Sequence, residues 1–297
     1  MEGSTDAERP GTAEVAGAAE RPGRAGRLIP LNVLVGVAHL VQAVLIVAFA
    51  APVTLPIDVS YLAGPPGSGD FAGPVTLIEL RIDLAVAAFL ALAAVDHLTV
   101  ASPWAKRWYL GNVARGVNPA RWWEYSVSAS LMVVLIAMLT GISNAAALIA
   151  LFGANAAMIL FGLVMERVNL DRSSVDWRPF IYGCLIGAVP WLAISLQLIV
   201  TQSEGPGAPG FVIAIFVTLF ILFNSFGVNM WLHYRARSRG GESASGQSVR
   251  GEIASGESRA SRGGRWADPY FTERAYLVLS LIAKSALAWQ VYIGALA

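Results

Sequence analysis

Apolar runs of about 20 residues, separated by shorter polar segments, dominate the chain. A membrane-spanning helix needs about 20 mostly apolar residues, because the hydrocarbon core of a bilayer is about 30 Å thick. Seven stretches meet this length: Leu28–Ala50, Val75–Val100, Arg121–Thr140, Ile142–Met165, Phe180–Val200, Phe211–Tyr234 and Pro269–Leu296. The pattern therefore predicts an all-α integral membrane protein, a bundle of seven transmembrane helices formed by residues 28–297.

Three polar segments interrupt this pattern. Residues 1–27 are rich in Gly, Ala, Glu and Arg without an apolar stretch, which predicts a disordered tail and not a signal peptide. Residues 52–74 are rich in Pro and Gly around an alternating stretch, Thr54–Leu62, so they predict a short extended or hairpin-like loop on the outer surface. Residues 236–265 are Gly/Ser/Arg/Glu low-complexity sequence, which predicts a flexible linker.

Composition narrows the class of protein further. Apolar residues make up 56% of the chain and charged residues 14%, whereas ordinary soluble domains are about 45–50% apolar and about 25% charged. A formal net charge of +1 argues against a nucleic-acid binder. The single cysteine, Cys184, excludes a disulfide framework and a multi-cysteine metal site. A soluble enzyme and a disordered chain are excluded as well.

The basic residues are distributed very unevenly. Of the 21 lysines and arginines, 19 fall in the N-terminal tail and in the connections between spans 2 and 3, 4 and 5, and 6 and 7. In a protein with seven spans, all of these segments lie on the same side of the membrane. Only Arg81 and Lys284 lie elsewhere. Cytoplasmic loops of membrane proteins carry the excess of basic residues. The sequence therefore predicts a multi-pass protein of the cell membrane with a cytoplasmic N-terminus and an external C-terminus.

Lys284 lies within the last span, about 20 Å from its inner end at a rise of about 1.5 Å per residue. A charged lysine at that depth costs roughly 2.5–3.5 kcal/mol on insertion scales. One interpretation is a structural lysine that snorkels or forms an ion pair. The other is a lysine used for its amine, as a Schiff base or in an ion or proton pathway.

Glu124, near the start of the third span, is the natural partner of Lys284. Ser128 follows Glu124 by four residues and Ser280 precedes Lys284 by four, so each ionisable group has a hydroxyl on its own helical face. The alternative is that Glu124 is an interfacial acid paired with Arg121.

Further polar residues occur in the inner halves of the first two spans. His39 has Gln42 on its own helical face, and His97 lies on the neighbouring span. Two of the three histidines on adjacent spans predict a hydrated polar cavity. They lack the clustered Cys, His and Asp spacing of a metal site, so no metal is expected.

Seven spans with one lysine in the last and one carboxylate in the third favour a retinal protein. Three local strings resemble those of heliorhodopsins: Trp123–Ser130; Phe223–Phe226 with Asn229 and Trp231; and Ser280–Gln290. The resemblance covers all seven spans and leaves out the tail and residues 236–265. Heliorhodopsins have a cytoplasmic N-terminus, the orientation that the basic residues predict independently.

The resemblance implies that Lys284 carries all-trans retinal as a protonated Schiff base, that Glu124 is its counterion, and that Ser128 and Ser280 form hydrogen bonds around the pair. It assigns the polar cavity to His39, Gln42 and His97. Further positions match residues near the chromophore: Tyr125, Met132, Asn155, Met158, Phe223 and Trp289. It also implies a homodimer that uses part of the 52–74 loop.

The third span also bears on mechanism. Proton-pumping microbial rhodopsins carry an acid acceptor, a polar residue four positions later and usually a proton donor eleven positions later; here these positions read Glu124, Ser128 and Leu135. The residue four before the lysine is Ser280 and not an acid. We therefore expect a non-enzymatic light sensor with a slow photocycle and no net ion transport, which acts on an unidentified soluble partner in the cytoplasm. The alternatives are a light-driven transporter or channel of the same fold, and a non-retinal membrane transporter or enzyme that uses Lys284 and Glu124.

Overall fold

A computed structural model describes residues 25–172, 174–247 and 264–297. In these ranges the chain forms eight α-helices, in the order α1 Leu28–Phe49, α2 Ile82–Ala101, α3 Lys106–Ala114, α4 Pro119–Leu139, α5 Ala145–Val168, α6 Arg178–Glu204, α7 Gly210–Gln247 and α8 Pro269–Val291. Two strands, β1 Thr54–Val59 and β2 Val75–Arg81, lie between α1 and α2. A 3₁₀ turn at Arg265–Ala267 precedes α8, and a π-helical turn at Tyr292–Leu296 follows it.

Every described helix except α3 is long and apolar enough to cross a membrane, which confirms the seven predicted spans. Helix α4 packs against α2 and α5, α6 packs against α5, and α8 lies between α1 and α7. Leu28, Val100, Tyr109 and Tyr270 share one apolar cluster, so the start of α1, the end of α2, α3 and the start of α8 lie on one side of the bundle. We call this the α3 side, and the opposite one the hairpin side.

The segment Val75–Arg81 corrects the predicted second span. It forms strand β2, and the helix begins only at Ile82. Strand β2 pairs antiparallel with β1 from Thr54 opposite Arg81 to Val59 opposite Val75. The β-branched residues of Val75–Ile78 favour an extended chain. Strand β1 also supplies hydrogen-bond partners for β2, and an average of hydropathy along the chain does not take such partners into account. The predicted hairpin-like loop is therefore a true β-hairpin that reaches beyond residue 74.

Helix α7 extends beyond the predicted end of the sixth span at Tyr234. It continues to Gln247, so residues 236–247 of the predicted linker are helical. The sequence from Arg235 to Gln247 contains no proline that would interrupt the backbone hydrogen bonds. The remainder of the predicted linker up to residue 263, and residues 1–24 of the predicted tail, lie outside the described residues.

Local capping determines where the polar side chains of α4 enter the bundle. The side chain of Asn118 accepts a hydrogen bond from the Arg121 amide, and Pro119 occupies the first helical position. Both features favour a helix start at this point. As a result, Arg121, Glu124 and Tyr125 lie in the first two turns of α4, on the α3 side.

Candidate functional site

Lys284 of α8 and Glu124 of α4 form a buried ion pair. The Lys284 Nζ atom lies 3.0 Å from Glu124 Oε1 and 3.1 Å from Oε2. It also donates to Ser280 Oγ, at 3.1 Å, one turn earlier on α8. The two side chains are 3% and 5% exposed. A charge in such surroundings needs a partner, because burying it alone is very costly. Lys284 is therefore an ion-paired lysine held inside the bundle, and it does not snorkel to a surface.

The alternative pairing of Glu124 with Arg121 is contradicted. Arg121 instead forms buried ion pairs with Glu166 of α5 and Glu273 of α8. Its guanidinium also lies over the Tyr276 ring, 3.9 Å from the centroid. Three helices are thereby joined by one cation, and Glu124 is left to neutralise Lys284.

Two more predicted residues adjoin the ion pair. The Lys284 Nζ atom lies 4.8 Å from the centroid of the Tyr125 ring, within the range of a cation–π contact. The Tyr125 hydroxyl donates to the Tyr276 carbonyl and so ties α4 to α8. Ser128 is fully buried, and its hydroxyl has no hydrogen-bond partner among the described residues. A buried hydroxyl without a partner is unusual in a folded protein, and this one lies one turn from Glu124.

A cavity of about 530 Å³ extends from Lys284 between α4, α5, α6, α7 and α8. Its size falls in the range of about 300–1,000 Å³ that is typical of small-molecule pockets. Six residues of the predicted site line it: Tyr125, Met132, Met158, Phe223, Ser280 and Lys284. The walls also include aromatic residues that the sequence did not single out as pocket residues: Trp122, Phe161, Phe180, Trp191, Phe220 and Phe226. The cavity is thus a mainly apolar slot with an amine in its wall.

Glycines on α5 and α6 make room for side chains that line this slot. A Cβ atom on Gly162 would lie 2.4 Å from the Trp122 ring, and one on Gly187 would lie 2.3 Å from the Met158 sulfur. Pro190 follows within α6 and removes one hydrogen bond from that helix. Because these positions have no Cβ atom, α5 can approach the Trp122 ring and α6 can approach the Met158 side chain. Both of these side chains line the cavity.

Two of the predicted chromophore contacts lie elsewhere. Asn155 is buried and donates to Ser130 Oγ, at 3.0 Å, between α5 and α4. Trp289 donates through Nε1 to Gln42 Oε1, at 3.0 Å, and so joins α8 to α1. Neither side chain is part of the cavity wall. Their contacts make both residues ties between helices.

The two histidines of the predicted polar cavity are brought together. The rings of His39 and His97 stack with centroids 5.9 Å apart and planes inclined by 13°. Both are buried, and both ring nitrogens of His39 lack a partner in the part of the chain that the structure describes. His97 contacts the side chain of Asn32 through Nδ1, at 2.9 Å. Within the described ranges, no group of three His, Cys, Asp or Glu side chains is placed to hold a metal ion.

The sequence did not predict a buried charged cluster that lies on the α3 side. It consists of Arg121, Glu166, Glu273 and Asn118. The Asn118 side chain donates to Glu273 Oε1 at 2.7 Å, and the Asn118 backbone amide donates to Glu166 Oε2 at 2.9 Å. Glu166 and Glu273 are each followed by an arginine and lie near helix ends. That local pattern is typical of solvated surface charges, so only the three-dimensional packing reveals a common buried partner.

Comparison with known protein families places the chain in one of them. The family model described as Heliorhodopsin matches residues 28–249 and 259–296, which is most of the chain. No curated protein matches the chain. The matched residues include all seven spans, the Lys284–Glu124 pair and the cavity.

Proposed function

The chain belongs to the heliorhodopsin family of light-sensing, retinal-binding membrane proteins, and from this we propose that it is a photoreceptor with all-trans retinal linked to Lys284 as a protonated Schiff base. The observation that carries the proposal is that Lys284, paired with Glu124, lies in the wall of a mainly apolar cavity. When bound, retinal supplies a polyene that absorbs visible light and isomerises.

Glu124 serves as the single counterion in this proposal. An opposite charge within about 4–6 Å favours the charged form of an amine-type cation, and Glu124 lies at 3.0 Å from the Lys284 nitrogen. Ser280 supports the same nitrogen with its hydroxyl oxygen. The free hydroxyl of Ser128 is available to donate to the Glu124 carboxylate or to a water molecule beside it.

The slot fits an elongated apolar ligand. Aromatic and thioether side chains on four helices bound its walls, and the amine lies in the α8 wall. Met132 and Trp191 are almost fully buried, so the walls are held by the surrounding core. Tyr125 lines the slot next to the Lys284 amine.

We further propose a slow photocycle without net ion transport. On the hairpin side of the ion pair the bundle is filled by apolar side chains, among them Ile46, Val86, Phe89, Leu135 and Ile136, each no more than 1% exposed. That apolar core disfavours movement of an ion from the pair toward the hairpin side. A proton that leaves the Lys284 nitrogen would be held by Glu124 or by the His39–His97 cavity and return the same way.

The remaining assignments belong to the same proposal. The N-terminus is cytoplasmic, because the basic residues lie on the α3 side and in the segments continuous with it. The β-hairpin is external and takes part in a homodimer. It exposes apolar side chains, including Tyr61, Phe71, Leu77 and Ile78. A soluble cytoplasmic partner recognises the light-induced conformational changes on the α3 side.

Reconstitution tests the retinal assignment. All-trans retinal added to membranes that contain the protein should produce a visible absorption band. Lys284→Ala should abolish it, whereas Lys106→Ala, which changes the only other lysine and an exposed one, should leave it intact. If Lys284→Ala does not fold because Glu124 loses its partner, the double variant Lys284→Ala/Glu124→Gln removes both charges. A band that survives loss of Lys284 would overturn the proposal, as would the absence of any band in the wild type.

A second experiment separates a sensor from a transporter of the same fold. Cells with the reconstituted protein should show no light-driven pH change in a weakly buffered medium. An uncoupler-sensitive change that disappears in Lys284→Ala would identify a transporter and overturn the sensor proposal.

A further inference from the structure

A chain of hydrogen bonds with a defined direction links the charged cluster to the stacked pair of His39 and His97. It runs from Glu273 through Tyr109 and Asn32 to His97, and thus connects α8, α3, α1 and α2. Asn32 and His97 are 1% and 2% exposed, so bulk solvent does not reach the hydrogen bond between them. The direction of each bond decides which nitrogen of His97 carries the proton.

The direction is set first at Glu273. Its carboxylate is held by Arg121 and Asn118, so it accepts hydrogen bonds. The Tyr109 oxygen lies 3.3 Å from Glu273 Oε1. Burial raises the pKa of the Tyr109 hydroxyl well above its ordinary value, so the group stays protonated. The hydroxyl therefore donates a hydrogen bond to Glu273. The lone pairs of the Tyr109 oxygen then face Asn32.

The orientation of the Asn32 amide follows from two acceptors. Its Nδ2 atom lies 2.9 Å from the Leu28 carbonyl oxygen, which can only accept, and 3.0 Å from the Tyr109 oxygen. A flipped amide would place two acceptors against each other at Leu28. Asn32 Oδ1 therefore faces His97 Nδ1, at 2.9 Å, as an acceptor.

We propose that Asn32 is a positioning residue that holds His97 in the tautomer protonated on Nδ1, so that Nε2 is left as a proton acceptor in the ring that stacks on His39. Nε2 is buried and has no hydrogen-bond partner among the described residues. The hydrogen bond of one ring nitrogen fixes the tautomer of a histidine and thereby the role of the other nitrogen. The role of this acceptor in the photocycle rests on the proposed function, whereas the tautomer itself does not.

Nitrogen-15 NMR of histidine-labelled protein in lipid bilayers, recorded in the dark, tests the tautomer directly. The chain has three histidines, and His39→Gln and His233→Gln identify the signals of His97 by elimination. The wild type should show a protonated Nδ1 and an unprotonated Nε2. The opposite tautomer in the wild type would overturn the proposal. This test therefore does not depend on whether a variant of Asn32 folds.

Variants then test the part that Asn32 plays. Asn32→Leu removes the acceptor and should lose the single-tautomer pattern, whereas Asn32→Asp keeps an oxygen at this point and should retain the proton on Nδ1. Asn112→Leu, which changes another buried asparagine on the α3 side, should retain the wild-type pattern. An unchanged tautomer in Asn32→Leu would show that Asn32 does not set it.

Flash photolysis of the retinal-loaded protein supplies the link to function. Asn32→Leu should slow light-induced proton transfer roughly tenfold, because a well-positioned base contributes about 10²–10⁴-fold. An unchanged rate would overturn the positioning role in the photocycle. If no visible band forms at all, the proposed function fails, while the dark NMR experiment still decides the tautomer.

Discussion

At the scale of single residues, the charge of Glu124 should set the colour of the pigment. A carboxylate 3.0 Å from the cationic nitrogen stabilises the ground state, in which the positive charge is localised there. Glu124→Gln removes the negative charge and should shift the band strongly to the red, or leave the chromophore deprotonated. Absorption spectra of the reconstituted variants provide the measurement.

Glu124→Asp and Glu79→Gln are the controls for this experiment. The first keeps a carboxylate at the position and should retain a protonated pigment. The second removes a carboxylate from strand β2, outside the membrane-spanning helices, and should leave the band unchanged. An unchanged spectrum in Glu124→Gln would remove Glu124 as the counterion.

Arg121 should matter for stability more than any surface arginine. It is 5% exposed and neutralises both Glu166 and Glu273, so Arg121→Ala leaves two buried carboxylates without their cation. Breaking a buried pair in this way costs about 3–5 kcal/mol. Thermal unfolding of the purified protein should therefore show a large fall in Tm.

Arg178→Ala is the matched comparison for Arg121→Ala. Arg178 pairs with Asp176, and its own side chain is 69% exposed. Exposed cations contribute about 0–1 kcal/mol, and Arg172 also lies 3.6 Å from the Asp176 carboxylate, so the loss of Arg178 should change Tm only slightly. Equal effects of the two substitutions would show that the buried cluster does not stabilise the bundle.

How far the sequence predicts the site depends on what surrounds each residue. Lys284 can be predicted because it is an isolated charge in an apolar stretch, where a partner is required, and the resemblance to heliorhodopsins selects Glu124 over the local alternative with Arg121. Glu166 and Glu273 cannot, because a neighbouring arginine gives each a plausible local partner. Asn32 gives no signal either, since its role depends on Tyr109 and on the Leu28 carbonyl.

At the scale of elements, hydropathy predicts the spanning helices well and the hairpin incompletely. A window average registers that Val75–Arg81 is apolar, but it does not register that the chain pairs with Thr54–Val59. Strand pairing is a non-local interaction, and here residues 16 to 27 positions apart decide it. The helical spans need no such partner, because their backbone hydrogen bonds are internal.

The contact between α4 and α5 should be sensitive to one added methyl group. Gly162→Ala would place Cβ 2.4 Å from the rigid Trp122 ring, which also forms part of the cavity wall. Overpacking of this kind costs about 1–3 kcal/mol. We expect a lower Tm and weaker retinal uptake, measured by thermal unfolding and by the size of the visible band.

Gly153→Ala on the same helix is the control for Gly162→Ala. No described atom outside its own surroundings in the helix lies within 4 Å of a Cβ at this position. Alanine favours a helix over glycine by about 1 kcal/mol, so Tm should stay the same or rise. A loss of stability in Gly153→Ala as large as that in Gly162→Ala would show that the Trp122 contact is not the cause.

At the scale of the whole molecule, charge and shape divide the bundle into two unlike halves. The α3 side contains the charged cluster, the histidine pair and the directed chain of hydrogen bonds, while the hairpin side is filled by apolar side chains. The ion pair of Lys284 and Glu124 lies between them. A change of charge at Lys284 therefore acts on the charged cluster and the two histidines of the α3 side.

The orientation of the molecule in the membrane can be tested with single cysteines. The basic residues predict that the α3 side faces the cytoplasm, where Lys106, Arg107 and Arg115 are exposed. Starting from Cys184→Ser, which removes the only cysteine, Ser68→Cys places a thiol in the exposed connection of the hairpin and Ala114→Cys places one at the exposed end of α3. A membrane-impermeant maleimide should label Ser68→Cys in intact cells and Ala114→Cys only after the cells are opened. The reverse pattern would invert the predicted topology, and with it the side on which a soluble partner could bind.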